Sequence, residues 1–168
     1  FTSANSTDPV VIIKNTTNDA AAARLHFVKD KGAAGADGDD IGTIEFISDD
    51  AGQTQTSFAK IIAEVGEADN TDESGKLTLQ VASSNGTTTG LENGIVMTGH
   101  KTGDYVDVTL GTGANSTVTI PGDLTIVGDT TTNNVTTVTT SNGVVFEGTS
   151  YDGHDATLKS VVAGADVT

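Results

Sequence analysis

The stretch KLTLQVASSNGTTTG, residues 76–90, decides the fold class of this chain. Leu77, Leu79 and Val81 alternate with polar residues, which is the period-two pattern of a strand with one apolar face. The following Asn85-Gly86 pair is a strong hairpin-turn signal, because both residues tolerate the backbone angles of tight turns. The stretch therefore predicts a β-strand that ends in a hairpin turn.

Similar short apolar segments recur along the chain, separated by glycine, asparagine or aspartate. They are PVVIIK (9–14), ARLHFVK (23–29), GTIEFI (42–47), YVDVTLG (105–111), TVTI (117–120), DLTIVG (123–128) and GVVFEG (143–148). The continuous run Val10 to Ile13 predicts a strand buried on both faces. A second Asn-Gly pair at 93–94, before IVMT (95–98), predicts another turn. The pattern predicts an all-β chain of elongated antiparallel strands.

The segment SFAKIIAEVGEA, residues 57–68, is compatible with a strand or a helix. Ala59, Ile61 and Ala63 alternate with other residues as in a strand, whereas the alanine, lysine and glutamate content suits a helix. We favour the strand, because both neighbouring segments are predicted strands and Gly66 ends the pattern early.

The composition provides little material for a hydrophobic core. Of 168 residues, 35% are hydrophobic and 4% aromatic, and the 20 glycines that bring the apolar share near its usual value bury almost nothing. A compact monomer of this composition would offset its chain entropy poorly. Since the strand pattern argues against disorder, we expect the chain to share a core with other copies.

The charge limits the partners that the chain can bind. Aspartate and glutamate total 23 against 8 lysines and arginines, which gives a net charge of −15. Such a surface repels nucleic acid and anionic membranes, so we expect neither nucleic-acid binding nor membrane insertion. The chain has no cysteine, which excludes disulfides and thiol catalysis. It begins at Phe1 rather than methionine, and we expect it to be a piece of a longer or processed protein.

The sequence pattern changes near residue 104. Residues 1–104 are predicted to form a β-rich domain, and residues 105–168 a β-shaft or connector that includes a threonine- and asparagine-rich tract at 130–143.

Asp37, Asp39 and Asp40 are the candidate metal ligands, because carboxylates clustered beside glycines suit Ca²⁺. The alternative is a solvated acidic loop, which the lack of an EF-hand spacing favours. No other cofactor is expected. His26, His100 and His154 share no metal-binding or catalytic spacing, and no G-x-S-x-G elbow occurs, so we do not expect an enzyme.

The run from residue 9 to residue 65 resembles the β-rich repeats of bacteriophage tail fibres and tailspikes. The marks of this resemblance are Asn15-Thr16, Asp19, Leu25, Phe27, Asp39-Asp40-Ile41-Gly42, Ile44, Phe46, Ala59 and Ile61, followed by Gly75, Leu77 and Val81. The later stretches IPGDLTIVGDTTTNN (120–134) and TSNGVVFEG (140–148) are similar to shaft-like parts of tail-fibre proteins of marine phages.

The resemblance implies a structural virion component, an elongated and intertwined homotrimer. Its partners would be its own copies, other tail or baseplate proteins, and a host receptor or glycan reached through a distal tip. Two alternatives stay open. One is a bacterial extracellular adhesin or surface module stabilised by Ca²⁺, and the other is a polysaccharide-degrading tailspike, for which the sequence shows no catalytic cluster.

Overall fold

The computed structural model describes residue 4, residues 9–127, and the strands at 144–146 and 156–158. Five antiparallel strands form one sheet in chain order: β1 (Asp40–Asp49), β2 (Gln55–Glu67), β3 (Ser74–Ser84), β4 (Thr89–Gly99) and β5 (Val106–Leu110). A separate antiparallel pair consists of β6 (Val144–Phe146) and β7 (Ala156–Leu158). The described residues contain no helix, so the predicted all-β class is confirmed.

Local side-chain hydrogen bonds close two of the hairpin turns. Asn85 Oδ1 accepts the backbone N–H groups of Thr87 and Thr88, both at 2.9 Å, and Gly86 adopts a φ of 90°. The predicted turn at Asn85-Gly86 is therefore confirmed. Between β1 and β2, Asp50 Oδ1 accepts the N–H of Gly52 at 2.8 Å and that of Thr54 at 2.9 Å. Each turn thus uses a short polar side chain that bonds to the following backbone.

Residues 57–68 lie on a strand, as predicted, because β2 extends from Gln55 to Glu67. The prediction of a turn at Asn93-Gly94 was wrong, because β4 runs through both residues. The register shifts between Leu79 and Gln80, where Gly94 is the extra residue of β4 and forms a β-bulge. Turns and bulges both use glycine, so the sequence signal alone does not separate them.

Four predicted strands are absent from the described residues. Residues 9–14, 23–29, 117–120 and 123–127 are extended but pair with no strand; residue 128 lies outside the described part. Val10 to Ile13, predicted to be buried on both faces, are between 48% and 78% exposed. These segments have the β-propensity that the sequence indicates, but a strand also needs a partner edge, and here none pairs with them.

The sheet register aligns aliphatic side chains across all five strands. Ile44 lies opposite Ile61, Ile61 opposite Leu79, Leu79 opposite Ile95, and Ile95 opposite Leu110. Because neighbouring residues of a strand point to opposite faces, this row and the rows beside it form one apolar face. The apolar face consists of Gly42, Ile44, Phe46, Ala59, Ile61, Ala63, Leu77, Leu79, Val81, Ile95, Met97, Val108 and Leu110, with the exposed carboxylate Glu92 opposite Val81 at its margin.

The opposite face, called the polar face below, carries most of the cross-strand polar contacts. It consists of Thr43, Glu45, Lys60, Ile62, Glu64, Lys76, Thr78, Gln80, Asn93, Val96, Thr98, Asp107 and Thr109. Glu64 and Lys76 form an ion pair at 2.9 Å, and Gln80 Nε2 donates to Asn93 Oδ1 at 2.8 Å. The sheet is therefore amphipathic, with one apolar side and one largely polar side.

The sheet has no hydrophobic core of its own. Among the described residues no hydrophobic side chain is buried, and Thr78, 2% exposed, is the one buried polar side chain. The central strands β2 to β4 are half-buried by their neighbours, whereas β1 and β5 are mostly exposed. A single layer of sheet leaves both faces open, which explains the absence of burial.

The expected boundary near residue 104 falls within the connection between β4 and β5, and β5 pairs with β4 along its length. By its internal contacts the chain divides into two compact units, residues 1–119 and residues 120–168, and the expected boundary stays a prediction. The five-stranded sheet lies entirely in the first unit, and the pair β6 and β7 in the second.

Candidate functional site

The loop before β1 contains the three predicted metal ligands. Asp37 Oδ1 accepts the backbone N–H of Ala68 at 2.9 Å, which ties the loop to the end of β2. Asp39 Oδ2 accepts the N–H of Ala36 at 2.8 Å and also binds the Lys31 ammonium. Asp40 lies at the first position of β1, opposite Glu64. Two of the three carboxylates therefore have protein partners in the loop.

The hydrogen bond from Lys31 to Asp39 holds the pKa of this carboxyl below its usual range, and the Ala36 N–H adds to the effect. Two backbone bonds secure the loop further, because Gly38 N–H donates to Val65 O at 2.8 Å and Val65 N–H donates to Asp39 O at 2.9 Å. In the described residues, no three His, Cys, Asp or Glu side chains form a group that could hold a metal ion. The Ca²⁺ site thus stays a prediction, in a loop whose geometry the protein itself maintains.

A cluster of three side chains in the β4–β5 hairpin was missed by the sequence analysis. His100 Nε2 lies 2.7 Å from Asp107 Oδ2, and the imidazole stacks on the Tyr105 ring with centroids 4.1 Å apart. A β-carbon at Gly103 would lie 2.6 Å from Tyr105 Cε1, so a larger residue at this position would displace the ring. His26, by contrast, lies in an exposed extended segment, and His154 lies outside the described residues.

A shallow polar groove of about 530 Å³ lies between the β3–β4 turn and the loop after β5. Ser83, Asn85, Asn115 and Ser116 line it with hydroxyl and amide groups, and Glu92 is its carboxylate. Glycoside hydrolysis in most families uses a pair of carboxylates on either side of the scissile bond. As lined by the described residues, this groove offers hydrogen bonds to a polar ligand but holds one carboxylate.

The apolar face spans all five strands of the sheet. Its edge residues are well exposed: Ile44 by 41%, Phe46 by 53% and Val108 by 58%. Near Ala63, Gly75 and Gly99 the face is hollow, and the adjoining apolar depression measures about 420 Å³. Contiguous apolar surface of this kind marks interaction sites in soluble proteins. The face is therefore the candidate functional site.

In the part of the chain that the structure describes, no helix has the length and apolar character that crossing a membrane requires. Comparisons of the chain with known protein families, with curated proteins and with solved structures found no match.

Proposed function

We propose that this chain is a structural segment of a homotrimeric extracellular fibre, of the kind that forms a bacteriophage tail fibre and links the virion to a receptor-binding tip. The observation that carries the proposal is the single-layer sheet with an open apolar face. A domain of this length ordinarily buries one hydrophobic core, whereas no hydrophobic side chain of the described residues is buried here.

Shared burial accounts for that missing core. Each kcal/mol of stability from the hydrophobic effect needs roughly 40 Å² of apolar surface removed from water. An isolated sheet removes little, because its side chains contact only their neighbours in the same layer. Copies that pack together through the apolar face remove the remaining apolar surface from water. The stability of the folded chain then depends on assembly.

The charge of the chain supports a display role in an extracellular particle. The net charge of −15 disfavours contact with nucleic acid and favours solubility of an exposed appendage. The ion pairs of Lys60 with Glu45 at 3.4 Å and Lys76 with Glu64 at 2.9 Å lie on the polar face, where solvent remains accessible. The sheet thus has one side suited to water and one suited to another protein surface.

The resemblance of residues 9–65 and 120–148 to tail-fibre sequences supports the phage assignment within the class of extracellular fibres. The described strands β1, β2 and β3 contain the residues Ile44, Ile61 and Leu79 at which the apolar pattern is most regular. Structural fibres act through shape and repeated strands, which agrees with a sheet built of five consecutive hairpin-connected strands.

The proposal is tested by locating the chain in particles. An antibody raised against residues 40–110 should label the tails of purified virions in electron micrographs, and the neighbouring genes should encode tail and baseplate proteins. Labelling of the bacterial cell surface, with secretion genes alongside, would instead identify an adhesin or surface module and overturn the phage assignment.

A further inference from the structure

We infer that Asn85, in the turn between β3 and β4, is a site of spontaneous covalent modification. Its side chain cyclises onto the backbone nitrogen of Gly86, and the ring then opens to aspartate or isoaspartate. The reaction needs no enzyme and no partner protein, because both reacting groups belong to neighbouring residues. The inference concerns the turn alone and does not depend on the proposed fibre function.

The reaction consists of a ring closure followed by hydrolysis. The Gly86 nitrogen attacks Cγ of Asn85, the bond from Cγ to Nδ2 breaks, and ammonia leaves with the proton that the Gly86 N–H loses. The product is a five-membered succinimide ring. Water then opens the ring: addition at Cγ gives aspartate, and addition at the backbone carbonyl carbon of residue 85 gives isoaspartate. Water is consumed and ammonia is released, without any oxidant or reductant.

The turn activates the Asn85 carboxamide for this attack. Its Oδ1 accepts the backbone N–H groups of Thr87 and Thr88, both at 2.9 Å. Attack at Cγ moves negative charge onto Oδ1, and two N–H donors directed at a developing oxyanion stabilise it, as in the oxyanion holes of acyl-transfer enzymes. The same bonds hold the carboxamide toward the backbone that follows Asn85, which is where the Gly86 nitrogen lies.

The nitrogen of Gly86 is open to reaction. Glycine has no side chain, and no atom of the described residues lies within 4 Å of the place where its β-carbon would be. Its φ of 90° is a conformation that glycine adopts at little cost. The Gly86 N–H donates to Ser84 Oγ at 3.1 Å, and both residues are exposed, so hydroxide from the solvent can remove the proton.

A second Asn-Gly pair in the same sheet provides a matched comparison. Asn93-Gly94 lies within β4, where Asn93 is half-buried and its Oδ1 accepts Gln80 Nε2 at 2.8 Å. Gly94 O accepts the Gly111 N–H at 2.9 Å, which ties this part of β4 to the end of β5. Cyclisation of Asn93 requires the strand to open first. We expect it to be at least about tenfold slower than at Asn85, which corresponds to an opening free energy of about 1.4 kcal/mol.

The modification changes the shallow polar groove described above. Asn85 and Glu92 both line this groove, and an aspartate at position 85 is ionised at neutral pH. The groove then holds two carboxylates instead of one. The aspartate product retains Oδ1 and can still accept the N–H groups of Thr87 and Thr88, whereas isoaspartate lengthens the backbone of the turn by one carbon. The chain therefore acquires charge and a changed turn as it ages.

The experiment ages the folded wild-type chain in heavy-oxygen water at neutral pH and physiological temperature. After return to ordinary water, trypsin and a glutamate-specific protease cut at the flanking lysines and after Glu92. Asn85 then lies in the peptide 77–92, and Asn93 in the peptide 93–101. Mass spectrometry measures the heavy oxygen that ring opening inserts into each peptide, and methylation by an isoaspartyl methyltransferase measures the isoaspartate.

Two controls separate the effect of the turn from that of the sequence. The chain unfolded in urea keeps both Asn-Gly pairs but loses the turn and the strand. Asn85→Gln keeps an amide, one carbon too distant for the five-membered ring. We expect heavy oxygen to enter the peptide 77–92 well before the peptide 93–101 in the folded chain, and at similar rates in urea. Asn85→Gln should take up none at position 85.

Two results would overturn the inference. The first is equal uptake in the two peptides of the folded chain. The second is slower uptake in the peptide 77–92 when the chain is folded than in urea, because the hydrogen bonds to Oδ1 would then protect Asn85 from attack. Neither result concerns the number of copies in the assembly, so the proposed function stands or falls separately.

Discussion

Phe27 lies directly over Gly42 of β1, so close that a β-carbon at position 42 would be 2.7 Å from Phe27 Cβ. Gly42 belongs to the apolar face, and Phe27 belongs to the unpaired segment before the sheet, which we call the arm (residues 9–30). The contact holds one end of the arm against the sheet, although no strand pairing does so. The arm can therefore dock at this point because residue 42 is glycine and has no side chain.

Gly42→Ala should displace the arm from β1. Accommodating the added methyl group forces Phe27 to move, at a cost of about 1–3 kcal/mol, as for other overpacked sites. Limited trypsin digestion at Arg24 and Lys29 should become several-fold faster. Gly90→Ala is the matched control, because Gly90 lies on β4 with open space around its β-carbon position. Equal digestion rates in the two variants would show that the Phe27 contact does not hold the arm.

Thr78→Val should stabilise the protein. Thr78 is 2% exposed, and its hydroxyl has no hydrogen-bond partner among the described residues, so the native residue carries the cost of an unsatisfied buried group. Valine has nearly the same shape, and we expect a gain of about 1 kcal/mol in the free energy of unfolding, measured from the urea midpoint at unchanged slope. Thr109→Val, on the same face but exposed, should change the midpoint little. A loss of stability in Thr78→Val would indicate a partner for the hydroxyl.

The ion pair of Lys101 with Glu67 should make stability depend on pH. Their Nζ and Oε2 atoms lie 2.6 Å apart, which joins the β4–β5 hairpin to the end of β2. The hydrogen bond from Lys101 holds the pKa of Glu67 below its usual range, and the same bond raises the pKa of Lys101. The pair therefore stabilises the fold across neutral pH.

The sign of the effect follows from these two directions. Stability from Glu67 is present above the unfolded pKa of about 4.3 and is lost as the pH falls through the lower folded value. Stability from Lys101 is lost as the pH rises through its raised folded pKa. The difference in melting temperature between the wild-type chain and Glu67→Gln should be constant near pH 7 and shrink below about pH 4. A difference that persists unchanged at pH 2 would contradict the pairing.

Calcium and sodium salts should stabilise the acidic loop to the same extent at equal ionic strength. Asp37 and Asp39 already accept bonds from Ala68, Ala36 and Lys31, with which a calcium ion would have to compete. The measurement is the melting temperature after chelation, followed by addition of millimolar CaCl₂ or matched NaCl. Rescue by calcium alone, lost in Asp37→Asn, would instead establish the ion site that the sequence predicts.

The alternation at Leu77, Leu79 and Val81 was sufficient to predict the central strand, and Asn85-Gly86 its turn, because both signals are local. The segment Val10 to Ile13 shows what local sequence signals do not predict. Its propensity is that of a strand, yet pairing depends on an edge elsewhere in the chain or in another copy, which the local sequence does not specify.

Among the candidate functional residues, too, some features could be predicted from the local sequence and others could not. The acidic loop was visible in the sequence because its carboxylates are adjacent, although their partners Lys31 and Ala68 were not. The contact between His100 and Asp107 depends on cross-strand geometry, since His100 N–H donates to Tyr105 O at 3.2 Å across the hairpin. Placing the two residues together required the position of the β4–β5 turn.

The most direct test of the account is the mass of the wild-type chain, measured by light scattering from high to low concentration at neutral pH. We expect a species of three times 17.0 kDa that persists on dilution, because the hydrophobic core forms between copies. A stable, folded monomer with the strand content of the five-stranded sheet would contradict the account, since the apolar face would then need no covering.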